Sequence, residues 1–124
     1  MGHSYRDLIV WQKAMAFVKE IYRTTQSFPT SEMYGLTSQL RRASVSIPSN
    51  IAEGQGRSFD KEFGHFISNA LGSLMEVETQ LLIAHDLGYL TRAQSDQLLN
   101  QSSEIGRLAN GLLASLKKGA SAGS

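Results

Sequence analysis

The sequence predicts an all-α fold: one domain, a four-helix bundle in up-down-up-down order. Three observations predict it. Apolar residues recur three and four apart along most of the chain, the period of one helix face. Runs that alternate in the manner of a half-buried strand are few, and only two prolines interrupt 124 residues. The breaker clusters Ser27–Ser31, Gly54–Ser58 and Gly88–Leu90 are short, as connections between antiparallel neighbours in a bundle are. Helices are expected at about 8–27, 32–54, 60–87 and 92–117. Residues 1–118 then form the bundle and 119–124 a disordered tail of small residues.

In the first helix Asp7 is the expected N-cap, its carboxylate accepting the exposed amides of the first turn. Trp11, Met15, Val18 and Tyr22 form the apolar row, with Ala14 and Ile21 beside it. Leu8–Trp11 is apolar all round one turn. Either part of it meets a neighbouring subunit, or the segment is partly extended and tucks across the bundle end. Pro29 disfavours a helical Phe28, so the chain breaks there. Phe28 is expected to plug the bundle end, and Thr30 or Ser31 to cap the second helix.

The second helix carries the chain's most informative stretch. Leu36, Leu40, Ala43, Ile47 and Ile51 make one core face, yet Pro48 sits among them. A proline inside a helix costs about 3 kcal/mol, because it removes an amide and crowds the carbonyl four residues back. The bend is therefore expected to be held by packing on both sides. Arg42, Ser46, Asn50, Glu53 and Arg57 fall on a second, polar face. They suit a shared polar site at the bend; equally, Ser46 and Asn50 suit the freed backbone while the charges pair along the helix. Gly54-Gln55-Gly56 resembles a phosphate loop only in part: Phe59 stands at the third glycine position and no strand precedes it. The Gly54–Ser58 stretch reads as a helix C-cap and a tight turn.

Ser58 or Asp60 is the expected cap of the third helix. Phe63, Ile67, Ala70, Leu74, Val77, Leu81 and Ala84 form its core row, widened by Phe59, Phe66, Leu71 and Leu82 toward a central position or a second interface. Gly88 is placed to end it in a left-handed cap. Thr91 and Gln94 have the capping-box spacing for the fourth helix. Its buried row is expected at Leu98, Ile105, Leu108, Leu112 and Leu116, broadened by Leu99, Ala109 and Leu113. Lys117 and Lys118 complement the negative helix end, and Gly119 is expected to stop it.

Composition narrows function. Without cysteine, disulfides and thiolate metal sites are excluded. No apolar run approaches the roughly 20 residues of a membrane span. The N-terminus lacks a signal-peptide core, so the expected location is cytoplasmic. Net charge is +1, with +2 in residues 1–60 and −1 in the rest, a weaker basic excess than a dedicated nucleic-acid binder carries. Glu62-Phe63-Gly64-His65 has the Glu-x-x-His spacing of di-iron bundles, but only once. Glu20, Glu53 and Glu104 do not complete the set, so neither metal nor cofactor is assigned. His3 has no evident partner, His85 beside Asp86 suits a helix C-terminus, and Glu76 and Glu78 point to different faces. No nucleophile elbow or P-loop is present. The chain therefore reads as non-enzymatic.

What remains is surface recognition. Arg41 and Arg42, with Lys13, Lys19, Arg23 and Arg57, make a basic strip if the first two helices lie side by side. An arginine fork suits phosphate. A solvated charged surface fits the same residues.

Leu8-Ile9-Val10-Trp11-Gln12-Lys13-Ala14-Met15, Phe28-Pro29, Glu32 to Leu36, Ser38-Gln39-Leu40-Arg41-Arg42-Ala43 and Ser46-Ile47-Pro48-Ser49-Asn50-Ile51-Ala52-Glu53-Gly54 together resemble a known family. It comprises the ribosomal-protein-like four-helix bundles encoded in intervening sequences of 23S rRNA genes. The accessory protein of diversity-generating retroelements is a more distant relative. The resemblance spans nearly the whole chain, weakest after about Thr91, and Ser46, Pro48, Asn50, Glu53 and Gly54 lie in its most specific motif. It implies a homopentamer without known catalytic activity, and RNA association through gene location. The retroelement relatives are strongly basic; this nearly neutral chain departs from them. The expected partners are other copies of the chain and RNA or a nucleic-acid-bound protein. A protein-interaction scaffold is the second expectation and a metal-binding bundle enzyme a remote third.

Overall fold

A computed structural model describes residues 4–123, with side chains through Lys118; His3 and Ser124 lie outside the described residues. The protein is all-α, with α1 at Ile9–Thr25, α2 at Leu36–Gln55, α3 at Asp60–Asp86 and α4 at Arg92–Gly123. Each helix packs on two neighbours: α1 on α2 and α4, and α3 on the same two. Among the described residues there is no strand, and no helix is long and apolar enough to cross a membrane.

The start of α1 departs from expectation. Asp7 lies in a short 3₁₀ turn, Tyr5–Asp7, and the Ser4 hydroxyl accepts from the Arg6 amide. Leu8 is extended and occupies the cap position with no side-chain cap bond. Asp7 is spent in the preceding turn, so it does not cap α1. The buried row also sits one residue back. Val10, Ala14, Phe17 and Ile21 face the core, while Trp11, Met15 and Val18 are half-buried and Tyr22 is exposed. One residue is about 100° of helix, and both rows are apolar, so periodicity alone does not choose between them.

Phe28 is buried, its ring 5.5 Å from that of Tyr89, and plugs the bundle end as expected. Neither Thr30 nor Ser31 caps α2: with Glu32 they form a 3₁₀ turn, and the helix starts at Leu36 rather than near residue 32. The cap is Glu32, whose Oε1 accepts from the Leu36 amide at 3.1 Å. Gly35 makes this reach feasible, since a Cβ there would stand 2.7 Å from that oxygen. All five expected core residues of α2 are buried, and the helix continues through a buried Pro48.

The expected C-cap forms at Gly56: α2 runs one residue past Gly54 and ends at Gln55. A Cβ on Gly54 would fall 2.7 Å from Phe66 Cβ and 3.3 Å from the Phe63 carbonyl, so glycine sets how closely α2 meets α3. Phe59, extended and without a side-chain cap bond, precedes α3 in place of Ser58 or Asp60. The seven expected core residues of α3 are buried. Of the widening residues, Phe66 and Leu71 are half-buried, while Phe59 and Leu82 are exposed.

Gly88, at φ 82°, ends this segment as expected. The Tyr89 and Gly88 amides reach back to the Ala84 and His85 carbonyls, the paired bonds of a Schellman cap. The capping box of α4 also forms: the Gln94 amide donates to Thr91 Oγ1 at 3.1 Å, and the Thr91 amide to Gln94 Oε1 at 2.9 Å. In α4 the core residues are Leu98, Ile105 and Ala109, with Ser95 and Ser102. Leu108, Leu112 and Leu116, expected in the row, are half-buried because the last turns pack along the margin of α3. The helix runs past Lys117 and Gly119 to Gly123, where a tail was expected.

Candidate functional site

The six basic residues do not form one strip. Lys13 pairs with Glu104 across the α1–α4 contact at 3.3 Å. Arg23 pairs with Glu20 one turn back on α1. Arg57, at the other end of α2, holds Glu53 at 3.0 Å and lies 4.8 Å over the Phe66 ring. Lys19 is exposed on α1. Each of the three pairs is solvent-exposed, where an ion pair contributes at most about 1 kcal/mol, but each consumes a cation for local structure.

Only Arg41 and Arg42 come together. They border a cleft of about 470 Å³ between the end of α1 and the first turns of α2, with Tyr22, Gln26, Met33 and Ser38 among its walls. Among the described residues no carboxylate lines it. The two arginines differ in state. Arg41 donates from Nε to Thr25 Oγ1 at 2.9 Å and from an Nη to the Tyr22 carbonyl at 3.3 Å. Its guanidinium lies 4.6 Å over the Tyr22 ring. It therefore caps the negative end of α1, and part of its charge is already balanced there. Arg42 is exposed and has no ion pair among the described residues.

At the bend, the polar face bonds within α2 and across to α3. The Asn50 side chain donates to the Ser46 carbonyl at 2.8 Å and to its hydroxyl at 3.0 Å. The Ser46 and Ser73 hydroxyls share a hydrogen bond at 2.7 Å, tying α2 to α3 beside Pro48. Ser46, Ser73, Arg42, Glu76 and Gln80 border a second cleft of about 320 Å³. Gln80 Oε1 is buried without a partner among the described residues. On the far side of α3, Glu78 accepts from Ser102 at 2.6 Å.

Sequence spacing missed Thr25, Tyr22 and Ser73 as partners of these groups. The short break after Thr25 was the available signal: it returns the start of α2 to the end of α1. Glu32 was missed as well. Its Oε2 accepts from the Tyr89 hydroxyl at 3.0 Å, which ties the loop beside the cleft to the α3–α4 connection. That hydrogen bond, then burial and the Glu32 charge, hold the Tyr89 phenol above its usual value of 10.0.

Glu62 and His65 are both exposed at the α3 start. Among the described residues no group of three or more His, Asp or Glu is placed to hold a metal ion. His85 lies 3.9 Å from Asp86 at the helix surface.

No curated protein matches the chain. Among solved structures, a protein of unknown function from the S23 ribosomal protein family of Bacteroides thetaiotaomicron matches with a TM-score of 0.77 and 25% identity. The match covers 85% of this chain and 98% of that one. The family model described as 23S rRNA-intervening sequence protein matches residues 6–111, from the turn before α1 to well into α4. The chain belongs to the 23S rRNA-intervening sequence protein family.

Proposed function

We propose that this protein is a non-enzymatic, cytoplasmic, homo-oligomeric bundle that associates with RNA or a ribonucleoprotein through the Arg41–Arg42 cleft. One observation carries the reading: two arginines share a cleft whose walls hold no carboxylate among the described residues, while the other cations of the first two helices are paired or scattered. Such a site attracts phosphate. The family name, with its reference to 23S rRNA, agrees with that class of ligand. The test is binding to 23S rRNA fragments across a salt series. Affinity should fall steeply with salt and drop further in an Arg41→Ala/Arg42→Ala double variant. Absent or salt-insensitive binding at low ionic strength would refute the reading.

We take the helices to run up-down-up-down and the chain to close into a homopentamer. Phe28, Glu32 and Tyr89 meet at one end, and Gly54 with Phe63 and Phe66 marks the other. Trp11, Met15, Val18 and Val45 border an apolar groove of about 320 Å³ between α1 and α2, which suits a second copy. Light scattering should then give five times the 13.6 kDa of one chain. A single-chain mass at micromolar concentration would refute the assembly.

The exposed Phe59, Met75, Leu82 and Ile83 favour one second reading, a scaffold for another protein. A pull-down that survives nuclease and returns one protein partner would select it.

A further inference from the structure

Building on the RNA reading above, we infer that the Arg41–Arg42 cleft takes one unpaired nucleotide of a single RNA strand, rather than the backbone of a duplex. A duplex is held mostly through its regular phosphates and minor-groove hydroxyls, over a surface that spans many base pairs. That mode needs several free cations spread over one face. Of the cations along the first two helices, Lys13, Arg23 and Arg57 are each bound to a carboxylate, Arg41 is bound to Thr25 and the end of α1, and Lys19 alone on α1 is exposed without an ion pair among the described residues. Arg42 is the cleft's one exposed cation without an ion pair among the described residues.

The cleft offers what an unpaired base uses instead. The Arg41 guanidinium is pinned by Thr25 Oγ1 and the Tyr22 carbonyl, and backed by the Tyr22 ring. It is thus a flat, charged, pre-ordered surface, and arginine planes stack on bases. Its fixed geometry means that little side-chain entropy is lost on binding. Tyr22 and Met33 are 42% and 53% exposed, so apolar contact area is available at the same place. The Gln26 and Ser38 side chains have no hydrogen-bond partner among the described residues and are free to meet a base edge. Arg42 then holds the adjoining phosphate. The volume of about 470 Å³ lies within the range of small-ligand sites and admits one nucleotide, not a helix.

Arg41→Lys separates the two modes, because lysine keeps the charge and loses the plane. Fluorescence anisotropy of a labelled short RNA, single-stranded or annealed to its complement, is measured at one salt concentration for the parent and for Arg41→Lys. Circular dichroism checks that the variant is folded. The single strand should bind the parent about tenfold tighter than the duplex, and Arg41→Lys should remove that preference. Equal or tighter binding of the duplex, or an Arg41→Lys variant that keeps the preference, would overturn the inference and leave the general RNA reading standing. Failure of both RNAs to bind at low salt would overturn both. AMP carries the same chemistry as a free ligand and should compete only at millimolar concentration; displacement at micromolar AMP would overturn the assignment to a strand.

Discussion

The two ends of α2 are built by opposite rules. Toward its C-terminus, Gly54 meets Phe63 and Phe66 with no room for a single added carbon, Ile51 is fully buried, and Ser46 bonds to Ser73 across the contact with α3. Toward its N-terminus the core face continues at Leu36 and Leu40, but the next positions, Arg41 and Arg42, border an open cleft, with Arg41 tied across it to the end of α1. One end fixes helix spacing, and the other keeps polar groups accessible. A single helix thus divides stability from recognition, so mutations at its ends should separate the two properties.

The largest effect is expected at the tight end. Gly54→Val should destabilise the fold by about 3 kcal/mol, and Gly54→Ala by less, because the nearest obstacles include backbone that does not turn aside. Urea midpoints measure this; a midpoint unchanged by valine would show that the approach of α2 to α3 is loose. Ser73→Ala, which removes the bond to Ser46, should cost about 1 kcal/mol. At the open end, Gln26→Ala should stay within about 0.5 kcal/mol of the parent. A larger loss there would mean that the cleft wall carries the fold.

The smallest effect concerns pH. The Tyr89 phenol is raised above 10.0, chiefly by its hydrogen bond to Glu32, so its neutral form is favoured in the folded state. A raised value contributes stability that is fully present below about pH 10 and is lost as pH rises through the folded value. Urea midpoints of the parent and Tyr89→Phe should therefore differ slightly near neutral pH and converge in strong alkali. A difference that persists there would show that the hydroxyl acts on stability by something other than its protonated bond to Glu32.

The same division explains what the sequence discloses. The core rows of α2 and α3 are legible in the spacing, and every residue expected in them is buried. In α1 two adjacent apolar rows compete, and only packing selects Val10, Ala14, Phe17 and Ile21 over Trp11, Met15, Val18 and Tyr22. The left-handed Gly88 and the Thr91–Gln94 capping box are local and legible. Gly54 is legible as a glycine near a helix end but not as a contact, because its partners lie on another helix. In the cleft, the pairing of Arg41 and Arg42 is visible as a dipeptide. The bond from Arg41 to Thr25 crosses sixteen positions, so the difference between a pinned and a free arginine comes only from the fold.

The most direct test measures one variant twice. Arg42→Ala removes the free cation from the open end and touches no core contact. Its urea midpoint should match the parent while its affinity for single-stranded RNA falls several-fold at low salt. Affinity that stays at the parent level, or a midpoint that falls in step with it, would contradict the separation of stability from recognition along α2.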